Sequence, residues 1–156
     1  QYNTLPLDFA FKSPHNWFGI PDEERATRVR LTIDTCIIDG EDGYLRGCLE
    51  IPVQALDDVF VYGVWVSLSG RSFLRVRELW NVEVPADEPP LFGWLCNNIS
   101  VYGETLHLKT NVHLRNDGQR PFIELEPTHH PLAVEQRKGI TLDRVQEIIA
   151  ALSHRH

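Results

Sequence analysis

The chain of 156 residues has no methionine, only three cysteines and no long apolar run. Without a methionine, Gln1 is read as lying downstream of a translation start, which leaves a preceding targeting segment or module open. No stretch approaches the roughly eighteen apolar residues that a membrane-spanning helix needs, so no membrane partner is expected. Cys36, Cys48 and Cys96 are odd in number and lack Cys-x-x-Cys spacing. That argues against a secreted disulfide framework and for small buried thiols in a reducing cytoplasm. Basic residues are scarce and scattered, 15 against 22 acidic ones, for a net charge of −7. Phosphate backbones are gripped by clustered Lys and Arg, so nucleic acid is not expected as a partner. A basic protein surface or a cationic ligand is electrostatically permitted. Glycine-rich phosphate loops, a Gly-x-Ser-x-Gly elbow, repeats and low-complexity linkers are all missing as well.

The remaining composition, 42% hydrophobic and 24% charged, is that of a globular domain. A chain of this size buries about 70% of its unfolded surface, and residues 1–156 are read as one domain. Residues 1–20, rich in proline and aromatics, form an irregular arm. Pro21 with Asp22, Glu23 and Glu24 behind it suits the positive end of a short helix over 21–30. Residues 31–126 then follow a mainly two-residue period. A hairpin is expected around "GEDG" at 40–43, and a strand apolar on both alternations over 59–69. Phe73, Val76 and Trp80 are spaced for a helix near 70–80, and "LFGWLCNNI" reads as a short strand.

The segment "TLHLKTNVHLR" alternates: Leu106, Leu108, Thr110, Val112 and Leu114 share one face, and His107, Lys109, Asn111, His113 and Arg115 the other. Asp117-Gly118 is a favoured two-residue turn and fixes the register. Val112 should meet Ile123, Thr110 Leu125, Asn111 Glu124 and Lys109 Glu126, with Arg115 unfavourably opposite Arg120. Residues 131–153 are read as helices, with Pro131 opening the first, Gly139 closing it and Thr141 capping the next. A cationic tail, His154–His156, ends the chain. The fold expected is α+β, an antiparallel meander-like sheet of five to seven strands with three to four packed helices.

Reactive side chains concentrate in "ELEPTHHPLAVEQRKG", residues 124–139. Zinc needs about four converging ligands, and adjacent residues such as His129 and His130 point different ways. Glu124 and Glu126 have cross-strand partners, the more ordinary role for such pairs. His130 stands before a proline-started helix, where His129 and His130 can satisfy free amides or face solvent at the sheet's edge, and Glu135 lies about a turn inside. No catalytic residue, metal ligand or cofactor is assigned. The residues singled out for a ligand or partner are Trp65, Trp94, His129, His130 and Glu135. Trp65 and Trp94 are included because aromatic anchors dominate protein recognition.

Five runs together, "CIIDGEDGYLRGCLEIPV", "YGVWVSLS", "PPLFGWLCNNI", "LHLKTNVHLR" and "ELEPTHHPLAVEQRKGIT", resemble a bacterial family known as domain of unknown function 2199. The resemblance runs from about residue 5 to 150 and implies a small bacterial domain without an established activity. It also implies a Cys-x-x-Cys element ahead of "LPLDF", which this chain starts without. The function expected is a non-enzymatic cytoplasmic protein-binding domain, of inhibitor or immunity type, with a basic partner. Two alternatives stand beside it. One is an enzyme or small-molecule binder with a pocket near Trp94, Cys96, His129 and His130. The other is a metal-stabilised module lacking its N-terminal metal element.

Overall fold

A computed structural model describes residues 7–153. In chain order the elements are β1 (Asp8–Ala10), α1 (Asp22–Arg28), β2 (Val29–Leu31), β3 (Thr35–Ile38), β4 (Asp42–Val53), β5 (Asp58–Leu68), α2 (Gly70–Glu78), β6 (Leu91–Leu95), β7 (Lys109–His113), β8 (Phe122–Leu125), α3 (Pro131–Lys138) and α4 (Leu142–Ser153). Short 3-10 turns cover His15–Gly19 and Ser100–Tyr102. Among the described residues no helix is long and apolar enough to cross a membrane. The cationic tail expected at 154–156 and the first six residues of the arm lie outside them.

The antiparallel meander sheet expected from the sequence is replaced by a closed mixed barrel. Strands β4 to β8 do follow one another as antiparallel neighbours, but β8 then returns to β4, where Cys48 pairs with Phe122 in parallel. Parity requires this. Strands that alternate up and down can close a ring of five only if one neighbouring pair runs in the same direction. Outside the ring, β3 and β2 extend from the β4 edge, and β1 lies parallel to β5.

Strand phase sorts the side chains. Leu45, Leu49, Ile51, Phe60, Tyr62, Val64 and Val66 point into the barrel and are fully buried, with Leu95, Val112 and Ile123 from the other strands. The opposite phase of β4 and β5 supplies a second cluster, Tyr44 and Trp65 with Ile20, Cys36, Ile38 and Cys96. This is why β5 is apolar on both alternations: one face lines the barrel and the other lies under the N-terminal arm.

The β7–β8 register is as the turn chemistry dictates, with Thr110↔Leu125, Asn111↔Glu124 and Val112↔Ile123. Asp117 and Gly118 take φ of 60° and 72° in the turn. The Arg115–Arg120 opposition is relieved from outside the hairpin: Arg115 reaches Glu50 at 3.0 Å and Arg120 reaches Asp34 at 2.9 Å. Other expectations shift. The first hairpin turns at Asp39-Gly40, ahead of the "GEDG" centre, and Ile38 pairs with Asp42. β7 begins only at Lys109, because His107 sits in a turn at φ 69° and so does not share a strand face with His113. Pro21 precedes α1 as its cap position, and Trp80 follows α2, 44% exposed.

Two polar residues complete the barrel where strands run out. Asn97 fills the gap on the β5 edge between β1 and β6: its Oδ1 accepts from the Trp65 N–H at 2.7 Å, and its Nδ2 donates to the Ser13 carbonyl at 3.0 Å. Gln136 of α3 does the same at the parallel seam. Its Oε1 accepts from the Leu125 N–H at 2.8 Å, and its Nε2 donates to the carbonyls of Ile123 and Glu50 at 2.9 and 3.4 Å. Close approach at the seam also depends on Gly47, where a Cβ would lie 2.5 Å from Ile123 Cδ1 and 3.0 Å from the Pro121 carbonyl oxygen.

Asn97→Ala strands a buried N–H and a buried carbonyl, each worth about 1–3 kcal/mol when unsatisfied. The urea midpoint should fall accordingly, and the Trp65 amide should lose hydrogen-exchange protection relative to its β5 neighbours. Gly47→Ala should cost about 1–3 kcal/mol by overpacking the seam. Equal urea midpoints for the variant and the parent protein would contradict the close approach described.

Candidate functional site

β6 carries the most exposed aromatic surface on the barrel wall. Along Leu91–Leu95 the inward phase is Gly93 and Leu95, both buried, and the outward phase is Phe92 and Trp94. Trp94 is flanked by Ser67 on β5 and Lys109 on β7, and Phe92 by Asn111. The two rings meet edge to face, with centroids 5.0 Å apart, and are 43% and 41% exposed. Such pairs gain about 0.5–1.5 kcal/mol from their mutual geometry, and roughly two fifths of each residue stays in water.

Trp94 forms a ridge between two shallow depressions. One, about 430 Å³, includes Asp42, Tyr44, Ser67 and Phe92, and the other, about 400 Å³, includes Asn16, Tyr44, Cys96 and His107. Trp94 and Cys96 both line the second depression. His129 and His130 line neither depression; a different histidine, His107, does.

The two adjacent histidines sit at the start of α3. His130 is its N-cap: Nδ1 accepts from the Leu132 N–H at 3.1 Å, while Nε2 lies 2.9 Å from the Glu104 carbonyl. An amide N–H can only donate and a carbonyl can only accept, so here the ring proton is on Nε2. His129 is solvent-exposed. Glu135 faces inward, accepting from Tyr102 Oη at 2.9 Å and from Arg144 Nε at 2.8 Å. Because Tyr102 gives its only proton to Glu135, its oxygen receives the Tyr62 hydroxyl at 2.9 Å. The result is a directed chain from the barrel interior, Tyr62 to Tyr102 to Glu135. Burial raises both phenols above the ordinary tyrosine range, and each stays protonated. Trp65 is fully buried, with its indole N–H on the Phe11 carbonyl at 3.0 Å.

The thiols are held in their unreactive form. Burial pushes Cys36 up to about 11, and it raises Cys48 and Cys96 as well. A nucleophilic cysteine requires the opposite shift. Among the described residues, no three His, Cys, Asp or Glu side chains come together in a way that could hold a metal.

Phe92 and Tyr44 were not singled out from sequence, although strand phase could have found Phe92. In "LFGWL" the residues between Phe and Trp and after Trp are Gly and Leu, so a strand with its inward face filled must present both rings outward.

No curated protein matches this chain, and no solved structure does. A family match covers residues 1–140, to a group described as an uncharacterized protein conserved in bacteria. With that match spanning most of its length, the chain belongs to the bacterial family DUF2199.

Proposed function

We propose that this chain is a non-enzymatic protein-binding domain that engages a basic partner through the outer face of β6. The observation that supports this reading is the solvent-exposed Phe92–Trp94 pair beside Asp42. Buried aromatic anchors contribute most strongly to protein interfaces, and Trp leads among them. An arginine or lysine set against these rings gains cation–π attraction as well as the Asp42 carboxylate. Among the described residues the chain's own cation–π contacts are Arg25 on Trp17, Arg77 on Phe73 and Arg144 on Tyr102, so Phe92 and Trp94 remain available. The net charge of −7 favours approach of a basic surface at long range. The groups that would otherwise suggest catalysis are engaged structurally: His130 in a helix cap, Glu135 with Tyr102 and Arg144, and Cys36 and Cys96 in apolar surroundings. An inhibitor- or immunity-type role, in which this face covers the working surface of a basic protein, is the specific version of the reading.

The test uses the purified full chain and the purified products of its neighbouring genes in calorimetric titrations. Phe92→Ala/Trp94→Ala removes exposed rings and should leave the thermal midpoint within a few degrees. A true partner should bind the double variant about thirtyfold or more weakly, the loss of roughly 2 kcal/mol expected of an interface anchor. Unchanged affinity in the double variant, or a strongly acidic partner, would remove the proposal.

A further inference from the structure

A second large cavity is at one end of the barrel, and it shares no lining residue with the β6 depressions. It is a groove of about 740 Å³ between the end of α2 and the β7–β8 turn. That volume is within the range of small-molecule sites. One wall is Val76, Leu79, Trp80 and Val82, and Leu114 stands on the other. Trp80 and Val82 remain 44% and 53% exposed there. The segment that carries them is tied across the groove by the Val84 N–H, which donates to Asn116 Oδ1 at 2.6 Å.

Three guanidinium groups, Arg46, Arg115 and Arg120, line the same groove. Two are matched with carboxylates, Arg115 with Glu50 at 3.0 Å and Arg120 with Asp34 at 2.9 Å. Arg46 is not. Its Nη1 reaches only the Ile33 carbonyl, at 3.2 Å, and its Nε is buried without a hydrogen-bond partner. Among the described residues no carboxylate lies within ion-pair distance of it. Burial and the nearby charge of Arg120 both disfavour the Arg46 cation, and Asp34 offsets this only in part. A guanidinium offers five donors, and in half-buried Arg46 only one carbonyl is engaged while the buried Nε has no partner. Buried donors without partners are rare in native proteins and mark places where something is missing.

We infer that this groove binds a small carboxylic acid with an apolar body, its carboxylate held by Arg46 and its body set against Trp80. The chemistry of the walls selects that class. One unmatched cation balances one negative charge, and Arg–carboxylate pairing is among the stronger polar contacts available. A phosphate dianion would face Asp34 within the groove and Glu83 and Asp117 on its exposed rim. The apolar wall has no use for a bare anion, but it covers a short hydrocarbon.

Hexanoate is the probe, with hexanamide and hexyl phosphate as controls, titrated into the full chain by calorimetry. Hexanoate should bind at least tenfold more tightly than either control. Arg46→Gln should reduce hexanoate affinity about tenfold or more. Trp80→Ala, which removes an exposed side chain and tests the groove even if Arg46→Gln does not fold, should reduce it about threefold or more. Equal binding of hexanamide, retention of hexanoate affinity in both variants, or no binding of hexanoate to the parent chain would each overturn the assignment. A pentapeptide with a free C-terminal leucine that binds where hexanoate does not would also overturn it. Because the β6 face shares no lining residue with the groove, Phe92→Ala/Trp94→Ala should leave hexanoate binding intact, and the two proposals can fail separately.

Discussion

Closing an odd-numbered ring of strands constrains everything else in this protein. A five-stranded up-and-down barrel must contain one parallel seam, here between β4 and β8, and a seam of this kind has little ladder to hold it. Cys48↔Phe122 is the single paired position, supported by the Cys48 N–H on the Pro121 carbonyl at 2.8 Å. Gly47 lets the backbones approach, and Gln136 supplies from a helix the hydrogen bonds that a longer strand would have made. α3 is therefore part of the wall as much as a covering element. Its placement explains the order that follows Pro127: a corner, a proline-started helix capped by His130, and then Gly139 at φ 83° close to the Pro52 carbonyl. From there Ile140 pairs beside Val53, at the far end of β4.

The same geometry decides where the surface is free. β4 and β5 are longer than their partners, so each serves two neighbours along one edge. The arm and β1 cover the outer face of β5 as far as Asn97, and Trp65 and two of the three cysteines are sealed beneath them. Beyond that junction the covering stops, and β6 presents Phe92 and Trp94 to water. At the other end, α2 and the segment after it stand off from the β7–β8 turn and leave the arginine-lined groove. Both candidate sites are thus places where the second layer of the structure ends.

Local pairing was legible in the sequence because it depends on local rules. The Asp117-Gly118 turn and the alternation around it determine four cross-strand pairs, and Pro131, Gly139 and Thr141 mark the helix boundaries. Closure was not legible, since nothing in a meander's alternation says whether its first strand meets its last. The available hint was the recurring mid-strand glycine, Gly47, Gly63 and Gly93 in three successive strands, a pattern that favours bending and close approach. His107 was misplaced for a similar reason: alternation continues through Leu106 and Leu108, while the backbone turns there to let the Leu95 carbonyl accept the His107 N–H at 2.7 Å. The site residues divide likewise. The capping role of His130 follows from its place before Pro131, whereas the inward contacts of Glu135 depend on Tyr102 and Arg144 from other elements. The unmatched state of Arg46 depends on which carboxylates Arg115 and Arg120 take, Glu50 and Asp34, and those lie far away in sequence.

The parallel seam also sets an order of events during synthesis. The edge of β4 at Cys48 is made well before its partners, Pro121, Phe122 and Gln136, which follow it along the chain by more than 70 residues. The β4–β5 hairpin can form as soon as Leu68 is free, but the ring stays open, with that edge unpaired, until α3 has been made. A chain cut short before residue 136 retains the two longest strands and lacks the piece that closes them.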